Sequence, residues 1–259
     1  MKRYFKCILA GFFLYTSSCI AQNNKNWMLE KMPADLETEY ALSALPPHLR
    51  EDATVYLLDP TKGYYLARKG TNGFSAFLNR TEWERGQFYL DSYEPISFDM
   101  EGSKAYLTPF FEVAAMRASG KYSAAQVKDS VVQRVKDGRY RPASRPGISY
   151  MLSPLLRVDH GSGPINQVMP HYMFYAPYLD DKDIGGGWVP GGYQPFAVSS
   201  GPALDKAHSI FNFIIIAAGE TEKAKILKDN KDLLTKLAAY KSYLKVDLSS
   251  TTAQVHHHH

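Results

Sequence analysis

Both cysteines of this 259-residue chain, Cys7 and Cys19, fall within its first 21 residues. Everything after Ala21 is without a thiol. Disulfide staples, cysteine-based metal sites and a cysteine nucleophile are therefore excluded from that body. It has to hold itself together by apolar packing, which a chain of roughly 230 residues can do and a much smaller one often cannot.

The same first segment reads as a secretory leader. Lys2, Arg3 and Lys6 form a positive start, residues 7–15 are apolar, and residues 16–21 are small or uncharged. The apolar stretch is about half the roughly 20 residues that a helix needs to span a bilayer, so no membrane span is expected. Cleavage after Ala21 would leave Gln22 first and place the protein in a periplasmic or extracellular compartment. A second reading acylates Cys19 behind Ser18 and anchors the protein by lipid to the outer envelope. Such sites usually carry leucine where this chain has Thr16.

The leader also carries three of the positive charges, so its removal takes the formal +4 to +1. No basic stripe remains that would neutralise several phosphates, and nucleic acid is not an expected partner.

Residues 22–34 read as a disordered or extended segment, 35–246 as one globular domain, and 247–259, ending in four histidines, as a disordered tail or appended tag. Asp35 to Leu45 reads as a short helix that Pro46-Pro47 stops. Ala53–Leu58, Tyr64–Arg68 and Phe74–Leu78 are three strands. Asp59-Pro60-Thr61-Lys62-Gly63 and Asn72-Gly73 supply the turns between them. They predict an N-terminal three-stranded meander. A helix capped by Ser103 or Thr108 should run to about Ser119, the later start being favoured because Pro109 suits only a first turn. Ser123 and Gln126 make a capping box for a helix with Ala124, Val127, Val131 and Val135 on one stripe, ended at Gly138. Ile148–Val158 and Gln167–Tyr175 are strands interrupted by proline. Residues 176–205 are loop-rich, and Ile210–Ala217 is a short β-branched run read as a buried central strand. Glu222–Leu244 is an amphipathic helix that Asn230 breaks. Strands and helices come in blocks, which predicts an α+β fold with a mainly antiparallel sheet packed by three to four helices.

Some of these residues look familiar. Residues 41–47 (ALSALPP), Ala53-Thr54-Val55, Arg68 and Gly70-Thr71-Asn72-Gly73-Phe74 resemble a family of uncharacterised secreted bacterial proteins with GTNGF/W, GxSYM and PHxMFYAP-type motifs. So do residues 147–151 (GISYM) and 170–177 (PHYMFYAP). The match spans roughly residues 35 to 245. It implies a compact exported domain and no activity, catalytic residue or cofactor. In some members a cysteine soon follows the GTNGF/W motif; here Ser75-Ala76 stands there, so a thiol-dependent role does not carry over.

For chemistry, the residues offer candidates and no diagnostic pattern: no CxxC, HExxH, GxSxG or phosphate-loop motif occurs after residue 21. In Pro170–Tyr175, His171, Met173 and Tyr175 share one strand face and Tyr172 and Phe174 the other. His171 is either an acid–base group or a half-buried histidine bonded to backbone. Asp159-His160-Gly161-Ser162-Gly163 places acid, imidazole and hydroxyl on a turn; adjacency is not a triad, and a polar hairpin loop explains it equally. Asp180-Asp181-Lys182-Asp183 lacks the ligand alternation of a calcium loop and reads as a solvated loop, so no metal is expected. Gly185–Gly192 with Trp188 is a mobile flap or a long surface loop. Asn72-Gly73 serves a turn. Trp83 is a stacking platform or an interfacial core residue.

Tyrosine is abundant, with 18 residues, and aromatic rings with polar tips favour recognition. The expected function is non-catalytic binding of a small or glycan-like ligand, or a protein partner, in an aromatic-lined cleft. Tyr150, His171, Met173, Tyr175, Trp188 and Tyr193 are its candidate lining, and no cofactor is expected. The alternative is a hydrolase-type enzyme using His171 with His160 and Asp159.

Overall fold

The computed structural model describes residues 29–82, 86–88, 91–159, 163–187, 194–198 and 210–246. The expected leader, the tail, Trp83, His160, Trp188 and Tyr193 lie outside the described residues.

Helix α1 (Ala34–Leu42) opens with Asp35 and Glu37 in its first turn, where the helix dipole favours acids. Pro47 begins a one-turn helix, α2 (Pro47–Arg50), because a missing N–H costs nothing at a first helical position. Strands β1 (Thr54–Asp59) and β2 (Gly63–Arg68) pair antiparallel across the anticipated turn. Asp59 Oδ1 accepts both the N–H and the hydroxyl of Thr61 there, at 2.9 and 2.7 Å.

Strand β3 (Ser75–Asn79) forms where expected, but the three strands are not a meander: β3 lies on the other side of β1 and runs parallel to it. Burial explains the choice. All five residues of β3 are buried and need cover on both faces, whereas β2 exposes Tyr65 and Leu66 as an edge strand should. The connection crosses the start of β1, with Thr71 and Asn72 both donating to the Asp52 carbonyl. Gly70 makes the crossing possible, because a methyl group there would overlap the main chain of Asp52 to Thr54.

A small ribbon of β4 (Thr81–Glu82) and β5 (Gln87–Phe88) precedes β6 (Glu94–Phe98), which pairs antiparallel with β3. Helix α3 (Met100–Ala118) starts earlier than expected, because Asp99 caps it by accepting the Gly102 N–H at 2.8 Å. Pro109 therefore sits inside the helix, where it removes one backbone bond. Packing offsets that cost: Tyr106 and Phe111 meet Phe98 and Phe77 with ring centroids 5.5 and 5.6 Å apart. Helix α4 (Ala124–Lys136) shows the anticipated Ser123–Gln126 capping box and buries Val127 and Val131.

The first proline-interrupted stretch resolves into two short strands, β7 (Ile148–Met151) and β8 (Leu156–Asp159); ahead of the second an unexpected strand forms, β9 (Pro164–Gln167), and the second itself gives β10 (His171–Tyr175). Pro154 and Pro170 fall in the breaks, since neither can donate to a ladder. β8 and β9 form their own ribbon, while β7 and β10 join the main sheet. Further along come the one-turn α5 (Asp181–Ile184), β11 (Phe196–Val198), β12 (Phe213–Ala217), α6 (Glu220–Asp229) and α7 (Lys231–Tyr240). The last two meet at Asn230, whose amide bonds back to Ile226 and accepts from Arg50. Among the described residues, the four anticipated helical regions are thus joined by two one-turn α-helices.

The result is an α+β fold around an eight-stranded, mainly antiparallel sheet, in the order β11-β12-β10-β7-β6-β3-β1-β2. Its two halves are dressed differently. β1, β3 and β6 carry α3 on one face and α1 on the other. β7, β10 and β12 turn Met151, Met173 and Ile215 into the α3-side core, and among the described residues no helix lies flat against their other face. The halves join at β6–β7, where only Ser97↔Tyr150 and Phe98↔Ser149 are in register. Serine hydroxyls reinforce that short seam: Ser149 donates to the Ser97 carbonyl at 2.6 Å and Ser97 to the Tyr150 carbonyl at 3.1 Å.

Candidate functional site: the open face of the half-sheet

The pairing of β7, β10 and β12 sets which side chains share the open face. Tyr150 stands opposite Tyr172, Tyr172 opposite Ile216, and Phe174 opposite both Ile148 and Ile214. Residues directly opposite on one face are the closest neighbours a sheet offers, so these six form one apolar surface. Tyr150 packs edge-on to Tyr172 with centroids 5.8 Å apart and lies 5.8 Å from Phe74, which follows the crossing loop. Phe174 and Ile216 are 39% and 36% exposed, high for large apolar side chains on a strand. At the rim, the Tyr172 hydroxyl donates to Glu222 in the first turn of α6. Burial, with Glu222 second, raises the Tyr172 phenol well above its ordinary range and keeps it a donor.

The residues singled out from the sequence divide between two faces. Tyr150 is on the open one. His171, Met173 and Tyr175 point the other way and are buried at 3%, 5% and 7% exposure. His171 Nδ1 lies 2.7 Å from the Met169 carbonyl, and burial lowers the affinity of the ring for a proton. Tyr175 donates its hydroxyl between Asp99 and the Ile148 carbonyl, and burial with Asp99 beside it holds the phenol protonated. Asp159 sits at the exposed turn end of the β8–β9 ribbon and accepts the Gly163 N–H at 3.0 Å. It therefore belongs to a different sheet from His171.

The acids at 180–183 are occupied with local structure. Asp180 and Asp183 form the capping box of α5, and Asp181 Oδ1 accepts the Ala197 N–H at 2.6 Å, tying that turn to β11. No group of three or more metal-binding side chains gathers among the described residues. Asn72 bonds its turn from both sides, accepting from Phe74 and donating to the Leu49 carbonyl, so it positions Phe74 beside Tyr150.

Tyr172, Phe174, Ile214 and Ile216 were within reach of the alternation rule, which assigns them to one face. What alternation cannot supply is which face the helices leave uncovered; that follows from where α3 docks.

No protein-family model matches this chain, and no curated protein or solved structure is detectably similar to it.

Proposed function

We propose that this chain is an exported, non-catalytic binding domain that takes a carbohydrate ring on the open face of β7, β10 and β12. The observation that carries this reading is the pair Tyr150 and Tyr172, set side by side on a sheet face with exposed Phe174 and Ile216 around them. Aromatic faces bury the C–H side of a sugar while phenol tips reach its hydroxyls, so one surface meets both halves of an amphipathic ligand. Glu222 at the rim adds an acceptor for a hydroxyl. The His171 ring lies on the buried side and is bonded to main chain, which supports the non-catalytic reading over the acid–base alternative. The positive, apolar and small-residue order of residues 1–21 supports export with Gln22 first.

The test is a thermal-shift screen of soluble oligosaccharides, followed by calorimetry. A ligand at 100 times its dissociation constant adds about 2.7 kcal/mol. For a chain of this size that is a rise of roughly 5–10 °C. The rise should disappear in the Tyr150→Ala/Tyr172→Ala double variant. A sugar whose shift survives that variant binds elsewhere and overturns the platform. Mass spectrometry of the native protein should find Gln22 as its first residue; an intact Met1 would remove the export half of the proposal.

A further inference from the structure

We propose that a cleft on the opposite side of the molecule, between α3 and the Arg139–Ser144 connector, binds a compact, doubly charged oxyanion such as a soluble phosphate monoester. The cleft has a volume of about 240 Å³. That is below the roughly 300–1,000 Å³ of sites for drug-sized molecules, so its occupant is small.

Its lining brings Lys104 and Thr108 from α3 against Arg139, Arg141 and Ser144 from the connector. Arg145, just outside the lining, lies 3.8 Å from Glu101. The lining thus holds three cations, Lys104, Arg139 and Arg141, against one acid, Glu101, which is spent on holding the wall. Glu101 Oε1 accepts the N–H and the hydroxyl of Ser144 at 2.8 and 2.6 Å. Those bonds, with Lys104 and Arg145 nearby, hold its carboxyl below the usual range. Glu112 pairs with Arg139, accepts the Tyr140 hydroxyl at 2.5 Å and lies 3.1 Å from Arg134.

The connector is stiff as well as basic. Tyr140 is buried, Pro142 fixes the chain beside it, and Tyr106 accepts the Ala143 N–H at 3.4 Å. Arg141 Nε is held by the Gly138 carbonyl at 2.7 Å, which leaves the outer edge of its guanidinium available. Among the described residues neither Lys104 nor Arg141 pairs with a carboxylate. The lining's surplus of two positive charges on a pre-ordered wall matches an oxyanion of charge minus two. Because α3 covers the other face of the sheet, this site is independent of the aromatic surface.

The experiment is calorimetric titration of the full mature chain with inorganic phosphate and with methyl phosphate, a monoester without a sugar ring, at ionic strength held constant with sodium chloride. Saturable 1:1 binding is expected. Lys104→Gln and Arg141→Gln should each weaken it about tenfold. Both basic residues are exposed, so the variants keep the fold; unaltered circular dichroism and melting temperature check this. Binding no greater than that of chloride, or binding that survives the Lys104→Gln/Arg141→Gln double variant, overturns the site. So does binding to phosphatidylglycerol vesicles with none to either soluble phosphate, which would assign the basic wall to a membrane surface.

Discussion

The Tyr175 hydroxyl and Asp99 Oδ1 lie 2.8 Å apart, on the same oxygen that caps α3. The other oxygen of Asp99 accepts the Ile148 N–H at 3.0 Å, so one side chain joins β6, α3, β7 and β10. This junction stands where the main sheet has its shortest seam. Tyr175→Phe removes a hydrogen bond to a charged group and should cost about 1.5–3 kcal/mol in urea denaturation. Amide exchange should rise in β7, β10 and β12 and stay constant in β1 and β3. Uniform acceleration across the sheet would show that the halves are not separable units.

Neighbouring residues on β10 should respond oppositely to truncation. Met173 is in the core, so Met173→Ala should cost about 2–5 kcal/mol. Tyr172 lies on the open face, and Tyr172→Ala should cost less than about 1 kcal/mol while removing ligand binding. Equal losses at the two positions would mean that something covers the open face.

Stability should fall as pH rises from 5 to 8. Burial pushes the carboxyls of Glu37 and Glu94 up to about 7 from an ordinary 4.5. A group whose folded pKa is raised stabilises the fold fully below its unfolded value and loses that contribution as pH rises through the folded one. The summed effect is a few kcal/mol at most. His171 acts in the opposite sense below pH 6.5, where the unfolded chain takes up a proton that the buried ring resists. Two carboxyls outweigh one imidazole, so the net slope remains downward. Glu37→Gln keeps the acceptor for the Leu58 N–H and should flatten the slope, as read from denaturation midpoints at pH 5, 6, 7 and 8.

Gly70→Ala should destabilise the chain by more than about 3 kcal/mol, measured by urea midpoint, because the added methyl meets main chain that cannot move aside. A cost under about 0.5 kcal/mol would show that the loop does not cross β1 this closely.

How much of this was legible beforehand depended on whether the deciding contacts were local. The Asp59 turn, the Ser123–Gln126 capping box and the break at Asn230 are each settled within a few residues, and the structure has them where the sequence puts them. The position of β3 is not local. The turn chemistry of Asn72-Gly73 is real, but it serves a loop that crosses β1, and only the need to bury all five β3 residues decides that. The start of α3 was misplaced for a related reason. Asp99 is held by Tyr175 and Ile148, which lie 76 and 49 residues away, and this support lets the helix tolerate Pro109 in its interior. In the candidate site, alternation separated His171, Met173 and Tyr175 from Tyr172 and Phe174, yet the buried side drew the functional reading. A histidine among aromatics attracts attention in a sequence whether it faces solvent or core.

The uneven dressing of the sheet has an evolutionary corollary. Among the described residues no helix is laid over the side chains of the bare half, so exchanging them disturbs few neighbours and leaves the doubly clad half to maintain the architecture. Descendants of such a chain can diverge in what they recognise by altering a handful of outward positions, with little selective penalty for folding. Divergence should therefore accumulate at Tyr150, Tyr172, Phe174, Ile214 and Ile216 sooner than at Phe77 or Phe98.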